Sequence, residues 1–443
     1  MQNQGIRDAR SLGTPKMLVL GLQHMFAMFG ATVLVPALTG LSVSATLLFA
    51  GLGTLFFHFL TKGKVPAFLG SSFAYLAGYA AIAPNGEAAL LPYACVGVAA
   101  SGLLYLILSA LVRGFGANRV MRFFPPVVTG PIIICIGMTL ANSAINNCTG
   151  SWDIALVAII TVVVFNIWGK GMLRIIPILL GVLVSYVYAA IIGRVDFSGV
   201  ASAAWIGLPV KMENTVFSLI GNCDMNLHVT AVIAIMPIAF ATMIEHIGDI
   251  CAISSTVGEN FIADPGLHRT LLGDGLATTI ASLFGAPANT TYGENTGVLA
   301  LTRVYDPLVI RLAAVYAIIA SFCPKFAALV SAMPTGTIGG VSLILYGMIS
   351  AIGVRNLVEN QVDLSKSRNV IVVSLIISLA LGITFSAAGA ITFHVGEFTL
   401  NFSGLAVAAL VGIVVNAILP GKDYDFQNNY EYGKTTEDHG QML

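Results

Sequence analysis

The stretch Ala241-Thr-Met-Ile-Glu-His-Ile-Gly-Asp249 places three ionisable residues inside a run that is otherwise apolar from about 229 to 253. Each ionisable side chain at bilayer depth costs roughly 2.5–3.5 kcal/mol on insertion scales, so three together need a compensating role. Glu245 and Asp249 are four residues apart, which places both carboxyl groups on one face of a helix. The stretch therefore predicts a membrane helix that carries a polar site.

A further carboxyl group lies in Asn289-Thr-Thr-Tyr-Gly-Glu-Asn-Thr-Gly297, a Gly- and Thr-rich break between apolar segments. Backbone N–H and C=O groups in a broken membrane segment are tolerated only where protein or a cavity satisfies them. Such groups can also bind a planar polar ligand, and the side chains of Thr290, Thr291 and Asn295 can satisfy the remainder. We expect Glu245 and Glu294 to face one cavity near the middle of the membrane and to bind a small polar solute.

The composition is that of an all-α polytopic membrane protein. Of the 443 residues, 57% are hydrophobic and 9% are charged, whereas soluble domains carry about 25% charged residues. The zero net charge gives no basic surface for nucleic acid. The six cysteines form no CxxC pair, so we expect neither a metal site nor a disulfide framework, and we expect no cofactor. A P-loop, a nucleophile elbow and an HExxH motif are all absent from the sequence, so ATP-driven transport and enzymatic hydrolysis are not supported.

The chain holds fourteen candidate membrane segments, judged against the 20 or so apolar residues that a span needs. Their approximate bounds are 17–38, 43–60, 66–82, 89–112, 124–142, 152–168, 173–192, 228–255, 268–285, 290–302, 308–330, 335–353, 368–388 and 400–419. The third and tenth are short and rich in Gly, Ser and Thr. With the N-terminus inside, 18 of the 21 Lys and Arg residues fall in inner loops, as the positive-inside rule requires. Both termini are therefore predicted to be cytoplasmic.

Internal matches indicate two repeats of seven segments. Gln23-His24 interrupts segment one as Glu245-His246 interrupts segment eight, and Ser72 follows Gln23 by the same 49 residues that separate Glu294 from Glu245. Because seven is odd, the second repeat enters the membrane from the opposite side, which makes the repeats inverted. Paired short, Gly-interrupted segments in two repeats indicate the binding site of a transporter.

Glu245 is the strongest candidate for binding both solute and proton. An ionised carboxylate accepts hydrogen bonds from N–H groups, and a protonated one can also donate to a carbonyl oxygen. That combination suits a neutral heterocycle with alternating N–H and C=O groups, and it suits proton coupling. The alternatives are that Glu245 pairs with His246 or another helix, and that Glu294 caps a short helix. Asp249 tunes Glu245 by like-charge coupling, contacts solute, or pairs with a Lys or Arg.

Two residues of the first repeat are further candidates. A lone membrane histidine is more often a hydrogen-bonded strut than a ligand, so His24 is interpreted first as a strut and second as a ligand. Phe73, in Gly70-Ser-Ser-Phe-Ala-Tyr75, either stacks its ring on a flat solute and bonds to it through its N–H, or packs against lipid or the protein interior.

Three motifs resemble those of the nucleobase–ascorbate (nucleobase–cation symporter-2) transporter family, in particular its bacterial uracil-transporting branch. They are Gln23-His-Met-Phe-Ala-Met-Phe-Gly-Ala-Thr-Val-Leu-Val-Pro36, Gly70-Ser-Ser-Phe-Ala74 and Glu294-Asn-Thr-Gly-Val-Leu-Ala-Leu-Thr-Arg303. The similarity runs from about 18 to 420. The resemblance implies fourteen segments in a seven-plus-seven inverted repeat, with short strands in segments three and ten, a homodimer and elevator-like movement.

The resemblance also implies two domains. A core domain would comprise segments 1–4 (17–112) and 8–11 (228–330), and a gate domain segments 5–7 (124–192) and 12–14 (335–419). Residues 1–16 would form a cytoplasmic N-terminus and 420–443 a disordered cytoplasmic tail, which composition also indicates.

By position, the resemblance implies roles for individual residues. Glu245 and Glu294 are similar to the two carboxylates that hydrogen-bond the base, and Phe73 and Gly293 to the residues that give backbone N–H contacts. Ala31 and Tyr292 are similar to residues that line the pocket. A further set serves proton coupling or supports the site: Asp249, His24, Gln23, Asn295 and Ser72. Asp249 is a departure from the resemblance, because the best-known uracil permeases have His at that position and other family members have Asp.

The sequence thus predicts a proton-coupled uracil importer of the bacterial inner membrane. Glu294 favours uracil, because purine members more often have Gln there. The nearest alternative is a xanthine or urate carrier of the same fold. An alternative of another class is an anion channel or exchanger, which would have a cation in its site, whereas this site is anionic. For the predicted uracil importer, the expected partners are uracil, protons, membrane lipid and a second copy of the chain.

Overall fold

The computed structural model describes residues 5–221, 224–395 and 398–421, so most of the predicted tail lies outside the described residues. The helices in chain order are α1 Thr14–Thr39, α2 Val43–Leu60, α3 Leu76–Ile82, α4 Leu91–Phe115, α5 Ala117–Met121, α6 Pro126–Cys148, α7 Trp152–Trp168, α8 Met172–Ile175, α9 Pro177–Ile191, α10 Ser198–Ser202, α11 Met225–Ile235, α12 Ala239–Val257, α13 Leu267–Leu283, α14 Gly293–Thr302, α15 Pro307–Ser321, α16 Pro324–Ser331, α17 Thr335–Glu359, α18 Ser367–Thr384 and α19 Gly404–Ile418. The strands are β1 Leu69–Ser71, β2 Asn289–Thr291, β3 Ala390–Val395 and β4 Phe398–Ser403.

Each of the fourteen predicted segments contains at least one of these helices. Seven helical stretches among the described residues are long and apolar enough to cross a membrane, or eight if α15 and α16, bent by 88°, are counted as one span. Shorter apolar helices fill four further predicted segments: Phe73–Ile82, Trp152–Trp168, Pro177–Ile191 and Gly404–Ile418. The chain is therefore a multi-pass membrane protein.

Three predicted segments have different shapes from those expected. Segment eleven is not continuous, because α15 ends before Cys323 and Pro324 begins α16 in a new direction. Segment eight is interrupted by a 3₁₀ turn at Met236–Ile238, where Pro237 supplies no backbone N–H. Segment fourteen begins later than predicted, because β3 and β4 pair antiparallel and Ser403 then caps α19.

The two short strands cross at the centre of the fold. β1 and β2 pair antiparallel, with Leu69 opposite Thr291, Gly70 opposite Thr290 and Ser71 opposite Asn289. Each strand has one outer edge, and a threonine from a neighbouring helix satisfies it. Thr54 Oγ1 of α2 accepts from Leu69 N–H at 2.9 Å, and Thr278 Oγ1 of α13 accepts from Asn289 N–H at 3.2 Å. The crossing is thus two-fold symmetric, as inverted repeats require.

The symmetry corrects the register of the sequence repeat. The residue before the helical turn at Phe73 is Ser72, and the residue before α14 is Tyr292. Ser72 is therefore equivalent to Tyr292, and the match of Ser72 with Glu294 is wrong by two residues. The spacing of 49 residues was misleading because the two repeats have connections of different length.

The long helices pack in two groups. In one group α2 packs on α13 and α15, and α4 packs on α11 and α13; α1 packs on α15. In the other α6 packs on α17, α7 on α9 and α18 on α19. The groups meet where α1 contacts α9 and α17 and where α12 contacts α6 and α19. The strand crossing lies in the first group, on the side of α12 and α14.

Candidate functional site

The strand crossing determines where the site residues lie. A helical turn begins at Phe73 directly after β1, and α14 begins at Gly293 directly after β2. The first N–H groups of a helix have no partner within the helix and carry the positive end of its dipole. Two such ends therefore lie on either side of the strand pair, which is the arrangement that broken helices give to transporter sites.

Tyr292 holds the crossing together. Its side chain is buried, and its hydroxyl donates to the Ser71 carbonyl oxygen at 2.8 Å. The hydroxyl of Ser71 in turn donates to the Thr32 carbonyl oxygen of α1 at 2.9 Å. The ring of Tyr292 lies on Gly70, where an added Cβ would be 2.4 Å from Tyr292 Cζ. Tyr292, which the sequence predicted to line the pocket, is thus also a structural link between β2, β1 and α1.

Glu245 and Asp249 lie on α12, both half-buried. Glu245 Oε2 is buried and has no hydrogen-bond partner among the described residues. Asp249 Oδ2 accepts from Thr291 Oγ1 at 2.8 Å, which joins α12 to β2. Because α12 packs on α14 and Asp249 is bonded to Thr291, three residues before Glu294, the carboxyl group of Glu294 lies near those of Glu245 and Asp249. The three carboxyl groups predicted from sequence therefore form one cluster.

The space beside these carboxyl groups is open. Glu294 is half-buried in the first turn of α14, where the helix dipole favours a negative charge. A Cβ added to Gly293, or to Gly248 on α12, would meet no atom within 4 Å. Among the described residues, no salt bridge involves any of the three carboxyl groups. The cluster is therefore anionic or protonated, with room beside it for a small solute.

His24 and Asn295 are bound to each other. Asn295 Nδ2 lies 3.0 Å from the His24 carbonyl oxygen and 3.2 Å from His24 Nδ1, and both side chains are buried. This pair joins α1 to the first turn of α14. The contact favours the strut interpretation of His24. Next to it, Gln23 Oε1 is buried and has no hydrogen-bond partner in the described part of the chain.

The remaining candidates are buried around the crossing. Phe73 is 8% exposed, and its ring meets that of Tyr346 on α17 edge-on at 5.8 Å. It therefore joins the two helix groups, as the packing alternative requires. Ser72 donates its N–H to the Ala288 carbonyl oxygen at 2.9 Å, while its buried hydroxyl has no hydrogen-bond partner among the described residues. Ala31 is 1% exposed on α1.

One buried pair near the site was missed by sequence reasoning. His246 Nδ1 lies 3.1 Å from Asp274 Oδ2 of α13, and both side chains are 0% exposed. The edges of Phe57 and Tyr105 enclose the imidazole. His246 thus pairs with Asp274, and the alternative that it pairs with Glu245 is wrong. An Asp in the apolar segment nine was a signal of the same kind as Glu245, but nothing in the sequence named its partner.

Comparison with known proteins gives a consistent family. Residues 15–389 match the model of the Permease family, Xan_ur_permease. The chain is 42% identical to the uracil permease of Bacillus caldolyticus, over 96% of both chains. It is 39% identical to the uracil permease of Bacillus subtilis (99% of this chain, 98% of the relative), and 37% identical to that of Escherichia coli K12 (90% of each).

Solved structures show the same fold at low identity. The transmembrane domain of the cyanobacterial bicarbonate transporter BicA has a TM-score of 0.64 at 13% identity, covering 94% of this chain and 100% of that one. SLC26A9 has a TM-score of 0.63 at 12% identity, covering 91% of this chain and 64% of that one. These neighbours have the seven-plus-seven inverted repeat, which confirms the predicted fold class and carries nothing about substrate.

Proposed function

This chain belongs to the Permease family of nucleobase–ascorbate transporters, and from that premise we propose that it imports uracil together with protons across a bacterial inner membrane. Its relatives named uracil permease are 37–42% identical over nearly its whole length. The observation that carries the proposal is the pair of carboxyl groups, Glu245 on α12 and Glu294 on the adjacent α14, neither of which forms a salt bridge among the described residues.

The chemistry of the pair fits uracil. Uracil is neutral and planar, and presents two N–H donors and two carbonyl acceptors along its edge. An ionised carboxylate accepts from an N–H, and a protonated carboxyl group can donate to a carbonyl. Glu245 and Glu294 can therefore hydrogen-bond both the N–H and the C=O groups of uracil. The backbone N–H groups of Phe73 and Gly293, at the two helix starts, donate to the uracil carbonyl oxygens. Tyr292 and Ala31 line the pocket.

Proton coupling follows from the same cluster. Burial disfavours an ionised carboxylate, and a neighbouring carboxylate disfavours it further. Glu245, Asp249 and Glu294 share such a site, so loading it with uracil is accompanied by proton uptake that neutralises the cluster. Asp249, held by Thr291, serves the same coupling.

We further propose that the two helix groups are the core domain (17–112 and 228–330) and the gate domain (124–192 and 335–419). The core, with the strand crossing, moves past the gate as an elevator and carries the site across the membrane. The protein acts as a homodimer, with both termini in the cytoplasm. The contacts of α1 with α9 and α17, and of α12 with α6 and α19, are the surface along which the domains slide.

The test is uptake of radiolabelled uracil by cells that lack their own permease. Wild type, Glu245→Gln and Glu294→Gln are compared with and without a proton uncoupler. Glu213→Gln, an exposed carboxylate in the outer loop, is the matched control. We expect uptake to collapse with the uncoupler and with either site variant, because each loses a charge-assisted hydrogen bond in a dry site, about a tenfold loss or more, while Glu213→Gln stays at the wild-type rate.

Other outcomes separate the alternatives. Uptake of xanthine but not of uracil by the wild type would transfer the proposal to purines and spare the fold. Full uptake by both site variants would show that the binding site lies elsewhere. Voltage-dependent anion current without uracil uptake would favour the channel or exchanger, although no Lys or Arg among the described residues forms a salt bridge with Glu245, Asp249 or Glu294.

A further inference from the structure

Residues 5–13, which precede α1 and which we call the strap, are bonded to the turn in which α14 ends. Ile6 forms a parallel β-bridge with Val304. Its N–H donates to the Arg303 carbonyl oxygen at 2.7 Å, and its own carbonyl oxygen accepts from Tyr305 N–H at 2.8 Å. Arg303 terminates α14 in the left-handed conformation, at φ +54°. The strap therefore holds the chain where α14 stops.

The strap also holds the end of α12. Arg7 Nη2 donates to the Val257 carbonyl oxygen at 3.0 Å, and Arg7 forms an ion pair with Glu259. Val257 is the last residue of α12. The final carbonyl groups of a helix have no partner within it and favour a positive charge. The guanidinium group of Arg7 supplies both a hydrogen-bond donor and a positive charge at this helix end.

Asp306 completes the attachment at α15. Its Oδ2 accepts from Ala9 N–H at 2.8 Å, while its Oδ1 accepts from Leu308 N–H at 2.9 Å and so caps the helix. Ala9 is 0% exposed, so the strap is packed into the molecule at this point. The strap then continues into α1, which carries His24 and Ala31.

These contacts link the helices that carry the site. Glu245 lies on α12, about 18 Å from Val257, and Glu294 lies on α14, about 14 Å from Arg303, at a rise of about 1.5 Å per residue. α14 has 10 residues and buries only one face. It is held by β2 at one end and by the strap at the other, so its tilt against α12 depends on both attachments.

We propose that Arg7 and Asp306 are positioning residues for the uracil site. Through the strap they fix the separation of α12 and α14, and with it the separation of Glu245 and Glu294. Two groups that grip one small solute must be held within about 0.5 Å to bind it well. The proposal rests on the proposed function for the identity of the ligand, but the mechanical link between strap and α14 does not depend on it.

Two measurements on the purified full-length protein in lipid nanodiscs test the link: uracil affinity by calorimetry, and hydrogen–deuterium exchange of the α14 amides. Arg7→Ala and Asp306→Asn are compared with Arg7→Lys and with Arg10→Ala, an exposed arginine of the same strap. Arg7 is about half exposed, and exposed charged pairs are weak, so we expect Arg7→Ala to raise the dissociation constant by up to about fivefold and to speed exchange in α14. Arg7→Lys should keep most of the wild-type affinity and exchange protection, and Arg10→Ala should change neither the affinity nor the exchange of the α14 amides.

The outcomes separate this proposal from the proposed function. Wild type that binds no uracil, with faster α14 exchange still caused by Arg7→Ala, would overturn the substrate and keep the strap. Wild type that binds uracil, with unchanged affinity and unchanged exchange in Arg7→Ala, would overturn the strap alone. Loss of affinity without faster exchange in α14 would also overturn it. If Arg7→Ala does not fold, Asp306→Asn serves as the test variant instead. Asn keeps an oxygen that caps Leu308 but loses the second oxygen, which accepts from Ala9 N–H in the strap.

Discussion

At the residue scale, Gly70 is required by a contact and not by its backbone conformation. The ring of Tyr292 and the hydroxyl of Thr32 occupy the place where a Cβ would stand, at 2.4 and 2.9 Å. Both neighbours are buried and hydrogen-bonded, so neither can move freely. We expect Gly70→Ala to push β1 away from Tyr292, to lower the free energy of unfolding by about 1–3 kcal/mol and to weaken uracil binding about tenfold or more.

The control for this substitution is Gly114→Ala, at a helical position where an added Cβ meets no atom within 4 Å. It replaces Gly by a better helix former and should leave uracil binding unchanged while raising thermal stability slightly. Affinity is measured by calorimetry and stability by fluorescence-detected thermal unfolding. Wild-type affinity in Gly70→Ala would mean that the Tyr292 ring is not fixed against β1.

The hydrogen bond between Thr291 and Asp249 gives a second prediction. If this bond holds Asp249 in the site, Thr291→Val and Asp249→Ala should be non-additive, because either change removes the same interaction. We expect each single variant to lower uracil affinity about threefold to tenfold, in line with a bond to a charged or polar group, and the double variant to be little worse than the poorer single one. Calorimetry on the four proteins measures the cycle, and fully additive losses would show that Asp249 acts independently of Thr291.

Residues of this kind differ in how far sequence reveals them. Glu245 and Glu294 could be singled out as candidates from sequence, because a charge at bilayer depth is costly enough to signal its own importance. Thr54 and Asp274 were not, because the reason for each is a partner far along the chain: Leu69 for Thr54 and His246 for Asp274. A threonine in a membrane helix usually bonds to its own helix, so its sequence context carries no signal of a strand edge.

At the scale of elements, the strand crossing is stabilised from both sides by two threonines. A two-stranded sheet leaves the outer N–H and C=O groups of each strand unpaired, and in a membrane those groups cannot reach water. Thr54 serves β1, with its hydroxyl 2.9 Å from Leu69 N and 3.3 Å from Leu69 O. Thr278 serves β2, 3.2 Å from Asn289 N and 2.9 Å from Asn289 O. The two-fold symmetry predicts equal contributions.

We therefore expect Thr54→Val and Thr278→Val to lower the free energy of unfolding by similar amounts, about 1–3 kcal/mol each, because each leaves buried backbone groups unsatisfied. The matched control is Thr161→Val, whose hydroxyl bonds, within the described part of the chain, only to the Val157 carbonyl of its own helix at 2.7 Å. Thermal unfolding of the four proteins checks the prediction. A loss in one variant alone would show that only one strand depends on its threonine.

Element existence was more predictable than element shape. Apolar length identified the longer segments, because the bilayer fixes the length that a span needs, and the partition of Lys and Arg supported the two short ones. The 88° bend between α15 and α16 and the antiparallel pairing of β3 and β4 were not predicted. Both depend on which carbonyl and N–H groups find partners in three dimensions, and a hydropathy pattern does not contain that information.

At the scale of the whole molecule, two glycines of α1 distinguish a fixed interface from a sliding one. A Cβ on Gly21 would lie 2.6 Å from Leu312 Cβ, on α15 within the same helix group. A Cβ on Gly30 would lie 2.7 Å from Ile178 Cγ2, on α9 of the other group. If the groups are a moving core and a gate, the second contact belongs to one state of the transport cycle and the first to every state.

The two glycines should then respond differently to the same substitution. Gly21→Val must be accommodated in every conformation, so we expect it to lower the melting temperature through overpacking of about 1–3 kcal/mol. Gly30→Val disfavours only the conformation in which α1 meets α9, so the protein should keep its melting temperature. Maximal uracil uptake should fall, because the transport cycle slows when one of its conformations is destabilised. Ile178→Ala, which removes the atom that clashes, should restore uptake in the Gly30→Val background. Equal loss of melting temperature in both valine variants would mean that α1 and α9 form a permanent interface, and the elevator movement would then have to occur along another surface.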